Sequence, residues 1–247
     1  MSELIYGYHP VREALRAGRR QITKIFITEG KRSPRLTEIR SLAKAALISV
    51  HTLTQNDMDS MVGVQGNQGV CASSSPYQCT HLNDLVKNSL QANPLILLAD
   101  QIVDPQNLGA LIRTAYCAGL HGVIITKDRS AGPSPAVSKA SAGAMEHISL
   151  TRVTNMVTTI KTLKEAGIWV AGLEGPDGQS IYATDLSGPL ALVVGSEQRG
   201  IRVLVKKNCD LLLAIPQIGN IDSLNASVAG GVVMYEAYRQ RNLDSLL

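Results

Sequence analysis

Aromatic side chains are scarce in this chain: one Trp, one Phe and seven Tyr, 4% of 247 residues. A surface that stacks on bases needs such rings, so any contact with nucleic acid is expected to run mainly through phosphates. Long apolar runs are missing too. None reaches the ~18 residues of a membrane-spanning helix. The opening MSELIYGYHP lacks the basic stretch followed by an apolar stretch that marks a secretory signal. A soluble cytoplasmic protein is expected. Cysteine is limited to Cys71, Cys79, Cys117 and Cys209, none in a C-x-x-C pair. Cys117 falls within an apolar helical pattern. Buried thiols of a reducing compartment are expected, not disulfides or a zinc site.

Several catalytic signatures are absent. No G-x-G-x-x-G opens a helix, which makes a nicotinamide-dependent dehydrogenase remote, and no G-x-x-x-x-G-K-[ST] supports an ATPase. H-E-x-x-H and G-x-S-x-G are missing, and His9, His51, His81, His121 and His147 are scattered. No metal cluster is visible.

What is present begins with charge. The net charge is +4, and residues 1–80 hold 10 Lys and Arg against 6 Asp and Glu, so the whole excess lies in the first third. Arg12, Arg16, Arg19, Arg20, Lys24, Lys31, Arg32, Arg35 and Arg40 fall close together, opposed by Glu13, Glu29 and Glu38. Such a stretch suits a phosphate backbone, although a solvated basic face would look the same. Arg12, Arg16, Arg19, Arg20, Lys31, Arg32 and Arg35 are the candidate RNA contacts.

The periodicity predicts two α/β units. A short helix from Pro10 stops at Gly18, strands follow over 22–28, 48–53 and 69–73, and a helix covers 35–47. Residues 1–74 are read as one domain and 75–93, which begin Ser-Ser-Pro, as a linker with a short helix near 82–90. From Pro94 to residue 247 the texture changes. Apolar runs at 95–99, 123–126, 168–172, 190–194 and 211–215 alternate with helical patterns at 107–118 and 153–166. Continuous apolar strands separated by helices imply a mostly parallel sheet covered on both faces. Ligands in such sheets lie beyond the strand carboxyl ends.

Three polar segments sit at those ends: DPQNLGALIRTA (104–115), VGSEQRGI (194–201) and IPQIGNIDSLNASVA (215–229). Read alone, Asn107 is more simply a helix cap and Arg113 a solvated arginine, whereas GSEQRG reads equally as an ordinary strand-to-helix turn or as glycines that let the backbone approach a ligand closely. Gly230 and Gly231, interior to a helix, suggest close packing against another backbone, within the domain or across a dimer.

Taken together, the three segments resemble the motifs of the SpoU branch of the SPOUT methyltransferases. IYGYHPVREAL and NQGVCA are similar to that family's small substrate-binding domain of the ribosomal L30e type. The resemblance spans essentially the whole chain. It implies a small N-terminal α/β domain followed by an α/β-knot domain with a deep trefoil knot and a mostly parallel sheet. It also implies S-adenosylmethionine as cofactor, held near Gly195, Ile215, Ser223 and Leu224. The catalytic positions it implies are Asn107, Arg113, Glu197 and Asn225. Among members it is nearest to those that methylate a guanosine 2′-hydroxyl of 23S ribosomal RNA in the P loop of the peptidyl-transferase centre. A homodimer acting on that RNA, or on an assembling large-subunit particle, is implied, with no membrane and no metal. A guanidinium is never deprotonated in proteins, so Arg113 is expected to stay charged, grip a phosphate and pair with Glu197, not act as a base. Competing readings are a transfer RNA ribose methyltransferase and a non-catalytic RNA-binding assembly factor. The separate N-terminal domain and the intact Asn107, Arg113, Glu197, Asn225 set weigh against them.

Overall fold

The computed structural model describes residues 2–30, 33–63, 66–175, 178–218 and 223–242. In chain order the first elements are β1 (Glu3–Tyr6), α1 (Tyr8–Ala17), β2 (Ile22–Thr28), α2 (Pro34–Ala45), β3 (Ser49–Leu53), α3 (Gln55–Val62) and β4 (Val70–Ser74). Then come α4 (Leu82–Ser89), β5 (Leu95–Asp100), α5 (Pro105–Cys117), β6 (Gly122–Thr126), α6 (Pro135–Ala140) and β7 (Ser149–Val153). The chain continues through α7 (Met156–Glu165), β8 (Trp169–Leu173), β9 (Gln179–Ser180) and β10 (Leu190–Gly195). It closes with α8 (Val203–Lys206), β11 (Leu211–Ala214) and α9 (Ala226–Arg241). By their contacts these form two compact units: residues 1–78 with 133–147, and residues 79–132 with 148–247. Residues 133–147 lie inside the stretch read from sequence as the second domain, yet pack with the first unit.

In the first unit the strand order is β1-β4-β2-β3, with β4 antiparallel to both neighbours and β2 parallel to β3. Ile5, Val11, Ile25, Ile27, Ile39 and Val70 are wholly buried between sheet and helices. Gly18 ends α1 in the left-handed conformation, the stop that the sequence predicts. The inserted segment is fixed by charge and by close approach. The Arg20 side chain, wholly buried, pairs with Glu146 (2.9 Å) and Glu3 (2.8 Å). Ser138 donates to the other Glu146 oxygen at 3.1 Å. A Cβ on Gly143, whose φ is +82°, would stand 2.7 Å from Glu13 Cβ.

The second unit is a seven-stranded sheet of order β7-β6-β5-β10-β8-β11-β9, with every pairing parallel. The run 190–194 becomes the central strand β10, buried along its whole length. Ile96, Leu98, Ile124, Ile160, Leu163 and Val193 build one core layer. Two sequence readings are corrected here. The helical pattern starting at 153 is a strand to Val153 and then a helix from Met156, capped by Asn155, which accepts from the amides of Val157 and Thr158. Cys117 is exposed at the end of α5, whereas Cys71 is buried and Cys79 and Cys209 are half-buried. Gly230 and Gly231 find partners within this unit: a Cβ on Gly230 would lie 2.4 Å from Leu111 Cδ2 of α5, while at Gly231 it would be 3.8 Å from Thr114. The close approach is to the end of a leucine side chain, and it is made at Gly230.

Among the described residues no helix is long and apolar enough to cross a membrane, and no group of three or more His, Cys, Asp or Glu is placed to hold a metal.

Candidate active site

The three polar segments converge at the carboxyl end of the second unit's sheet, around the end of β10. α5 begins at Pro105, and its cap is Asp104, whose carboxylate accepts from Gln106 N at 3.0 Å. Asn107 therefore sits inside the first turn and is not the cap, so its side chain is free for other work. Its amide donates to Glu197 Oε1 at 2.9 Å. Asn225 caps α9 with its carbonyl oxygen, accepting from Ser227 N (2.9 Å) and Val228 N (3.2 Å). Its amide nitrogen is thereby aimed outward. It donates to Asn107 Oδ1 at 3.1 Å and also to Glu197 Oε1. Three of the four expected catalytic residues thus form one closed amide–carboxylate cluster. Glu197 Oε2 has no partner among the described residues.

Arg113 stands apart. It lies on the exposed side of α5, with no hydrogen bond or ion pair to any described residue. The pairing of Arg113 with Glu197 expected from sequence is not formed: Glu197 takes its hydrogen bonds from the two asparagines, both at Oε1.

The loop that carries Glu197 is braced from two directions. Ser196 and Gly200 exchange backbone hydrogen bonds of 3.2 and 2.8 Å, which folds the loop back on β10. A Cβ on Gly195 would come within 2.1 Å of the Gly200 carbonyl carbon. The glycine is needed for that fold-back first, and only secondarily for closeness to a ligand. Beyond the loop, Arg202 reaches the Asp100 carboxylate at the end of β5. Its Nε donates at 2.9 and 3.1 Å, its Nη2 at 2.6 Å and its backbone N at 3.1 Å. Asp100 is fully buried. Sequence reading missed this pair. Its signal was the single charge that closes the otherwise apolar LILLAD.

A cavity of about 230 Å³ opens beside this cluster on the β8 and β11 side of β10. All four residues expected to hold cofactor, Gly195, Ile215, Ser223 and Leu224, line it, together with Glu197. Residues 219–222 of the third motif lie outside the described residues. Leu173, Val194 and Ala229 give it apolar walls, and Glu174 and Glu197 supply carboxylates. That lining fits a cationic cofactor with an apolar body.

The basic residues of the first unit divide. Arg20 is corrected: its guanidinium is buried between two carboxylates and lies over the Tyr77 ring, so it faces no phosphate. Arg12 and Arg35 both lie over the Tyr8 ring, at 5.1 and 5.3 Å. Arg12 is also paired with Glu13 (2.5 Å) and Arg16 with Glu38 (2.8 Å). Arg19 donates to the His147 carbonyl at 2.9 Å. Arg35 is exposed and keeps no carboxylate partner among the described residues. Lys31 and Arg32 lie outside the described residues.

Known proteins resemble the chain over almost its whole length. The profile of the SpoU rRNA Methylase family matches residues 94–235, and that of the RNA 2′-O ribose methyltransferase substrate-binding domain matches residues 4–79. The chain is 41% identical over 245 residues to the 23S rRNA (guanosine-2′-O-)-methyltransferase RlmB of Pseudomonas putida, covering 98% of each chain. It is 40% identical to the putative TrmH family tRNA/rRNA methyltransferase YacO of Bacillus subtilis, covering 97% of this chain and 96% of that one. Among solved structures, the AdoMet-bound rRNA methyltransferase of Sinorhizobium meliloti superposes with a TM-score of 0.80 at 26% identity, over 96% of this chain and 87% of the other. The expected architecture, a small α/β unit followed by a mostly parallel α/β-knot domain, is met.

Proposed function

The chain belongs to the SpoU rRNA methylase family, and from that premise we propose how its site works. The protein is an S-adenosylmethionine-dependent RNA methyltransferase that methylates the ribose 2′-hydroxyl of a guanosine in 23S ribosomal RNA. The observation that carries the mechanism is the Asn107–Glu197–Asn225 cluster on the rim of the cavity that fits the cofactor.

When bound, the cofactor supplies a methyl group activated by a sulfonium. The chain's part is alignment and electrostatics. Gly195, Ile215, Ser223 and Leu224 are the residues that would hold the cofactor. A protonated ribose hydroxyl is a poor nucleophile and needs an acceptor for its hydrogen. The two asparagines saturate Glu197 Oε1 and fix the carboxylate plane. Oε2 is left to accept from the incoming hydroxyl. Arg113, exposed on α5, remains charged and contributes through the substrate's phosphate.

The finer claims follow as proposals. The target guanosine is in the P loop of the peptidyl-transferase centre, on free RNA or on an assembling large-subunit particle in the cytoplasm. The protein works as a homodimer. Val228 and Tyr235 leave an exposed apolar stripe along α9, about half of each side chain being accessible, which supports a self-contact there. Arg12, Arg16, Arg19 and Arg35 contribute a phosphate-binding face in the first unit.

The test is methyl transfer from labelled S-adenosylmethionine to unmodified 23S RNA and, in parallel, to transfer RNA. Transfer to 23S RNA with ribose label is expected. Transfer to transfer RNA alone would replace this reading with the tRNA enzyme.

A further inference from the structure

A second cavity, about 220 Å³, opens on the other flank of β10, toward β5 and β6. It shares Ser196, Glu197 and Ala226 with the first cavity, so the amide–carboxylate cluster stands between the two. A displacement at carbon needs the donor on one side of the reacting hydroxyl and the acceptor's own scaffold on the other, in line. With the first cavity fitting the donor, the second is placed for the acceptor strand.

Two guanidiniums, Arg129 and Arg199, line this second cavity. Both are exposed, and neither has a hydrogen bond or ion pair to any described residue. Two carboxylates also face it: Asp104, which caps α5, and Glu197, whose Oε1 holds the two asparagines. The backbone adds an independent sign. Gln101 and Arg129, on opposing loops of this cavity, both adopt left-handed backbone, with φ of +59° and +55°. Side chains other than glycine rarely do so, and such positions gather where a ligand is gripped. The loops are braced to hold that conformation. Ala131 N donates to Ile102 O at 2.8 Å, and the Thr126 hydroxyl meets Ser130 Oγ at 2.5 Å. A merely solvated arginine needs no such scaffold.

We propose that Arg129 and Arg199 clamp an RNA phosphodiester next to the reacting ribose, which makes the second cavity the sugar-phosphate subsite of the acceptor. Planar, unpaired guanidiniums suit bidentate phosphate contacts. The inference rests on the reading of the chain as a ribose methyltransferase.

Steady-state methylation of unmodified 23S RNA by the full chain tests it, alongside equilibrium RNA binding across a salt series and cofactor binding. Arg129→Gly keeps the left-handed backbone but removes the cation. It is expected to raise KM for RNA about tenfold with a smaller change in kcat. The slope of log affinity against log salt should fall by about 0.7 for the lost phosphate contact, and cofactor affinity should be unchanged. Arg199→Gln should act in the same direction, and Arg129→Lys should recover part of the loss. Wild-type KM and salt slope in Arg129→Gly would overturn the clamp, as would a parallel loss of cofactor binding. If the unaltered protein bound RNA but methylated none, the functional reading would fail, while the salt slopes would still decide whether Arg129 contacts phosphate.

Discussion

Removing Arg202 should damage the protein far more than neutralising its partner, although the two form one ion pair. Asp100 is fully buried and Arg202 is 41% exposed. Arg202→Met strips the carboxylate of every guanidinium contact and, among the described residues, leaves only the backbone amide of residue 202 to compensate a buried charge. Breaking a buried pair in this way costs about 3–5 kcal/mol. Asp100→Asn is nearly isosteric, keeps an acceptor for that amide and lets the half-solvated guanidinium turn to water. Its cost is about 1–2 kcal/mol, the loss of hydrogen bonds to a charged group. The chain's single tryptophan, Trp169, begins β8, so its fluorescence during urea unfolding reports on this unit. The free-energy change follows from the midpoint shift and slope. Both variants should also lose methyl transfer, because the pair anchors the loop that holds Glu197. If Asp100→Asn were as destabilising as Arg202→Met, the energy would not lie in an uncompensated buried carboxylate and the reasoning would be refuted.

Other expectations address different parts of the chain. Asn225→Asp keeps the oxygen that caps α9 but sets a second carboxylate against Glu197. Methyl transfer should fall at least tenfold while the urea midpoint moves little. Asn225→Ala should lose activity and also about 1 kcal/mol of stability with the cap. His121 accepts a hydrogen bond from Leu95 N at 3.1 Å, and burial foremost, with the nearby Arg241 charge, lowers its pKa below the ordinary 6.5. A depressed value favours the neutral ring in the fold. Its contribution is present above about pH 6.5 and is lost as pH falls through the lowered value. Urea midpoints at pH 7.5 and 5 should therefore differ more for the unaltered protein than for His121→Asn, which keeps an acceptor that does not titrate. Burial pushes the Cys71 and Cys209 thiols up to about 11 and raises Cys79. A thiol reagent at pH 8 should modify exposed Cys117 first, and mass spectrometry identifies the site. Equal early labelling of Cys71 would contradict its burial.

The sheet of the second unit was legible because its strands are continuous apolar runs, which can bury both faces only inside a covered sheet, and 190–194 did become the central strand. The polar segments at the strand ends were legible for the same topological reason. What escaped depended on contacts distant in sequence. Arg20 looked like its neighbours in a basic stretch, and its pairing with Glu3 and with Glu146, 126 residues away, makes it a buried structural charge. Asp100 and Arg202 are 102 residues apart and carry no shared pattern. Asn107 read as a cap because Asp104, a better one three residues earlier, left periodicity silent on where the helix begins. Residues 133–147, rich in Ser and Ala, gave no sign that they would leave the second unit for the first. The left-handed backbone of Gln101 and Arg129 is invisible to any pattern of residue types.

The central claim is ribose methylation of a single guanosine in 23S RNA. Its most direct test compares 23S RNA from cells with and without this protein, mapping 2′-O-methyl groups along the peptidyl-transferase region, and then restores the mark in vitro with the purified protein and S-adenosylmethionine. The account predicts that one 2′-O-methylguanosine in the P loop disappears without the protein, returns with it, and does not return with a Glu197→Ala variant. An unchanged 2′-O-methylation map of 23S RNA, or a restored methyl group found on a base, would contradict it.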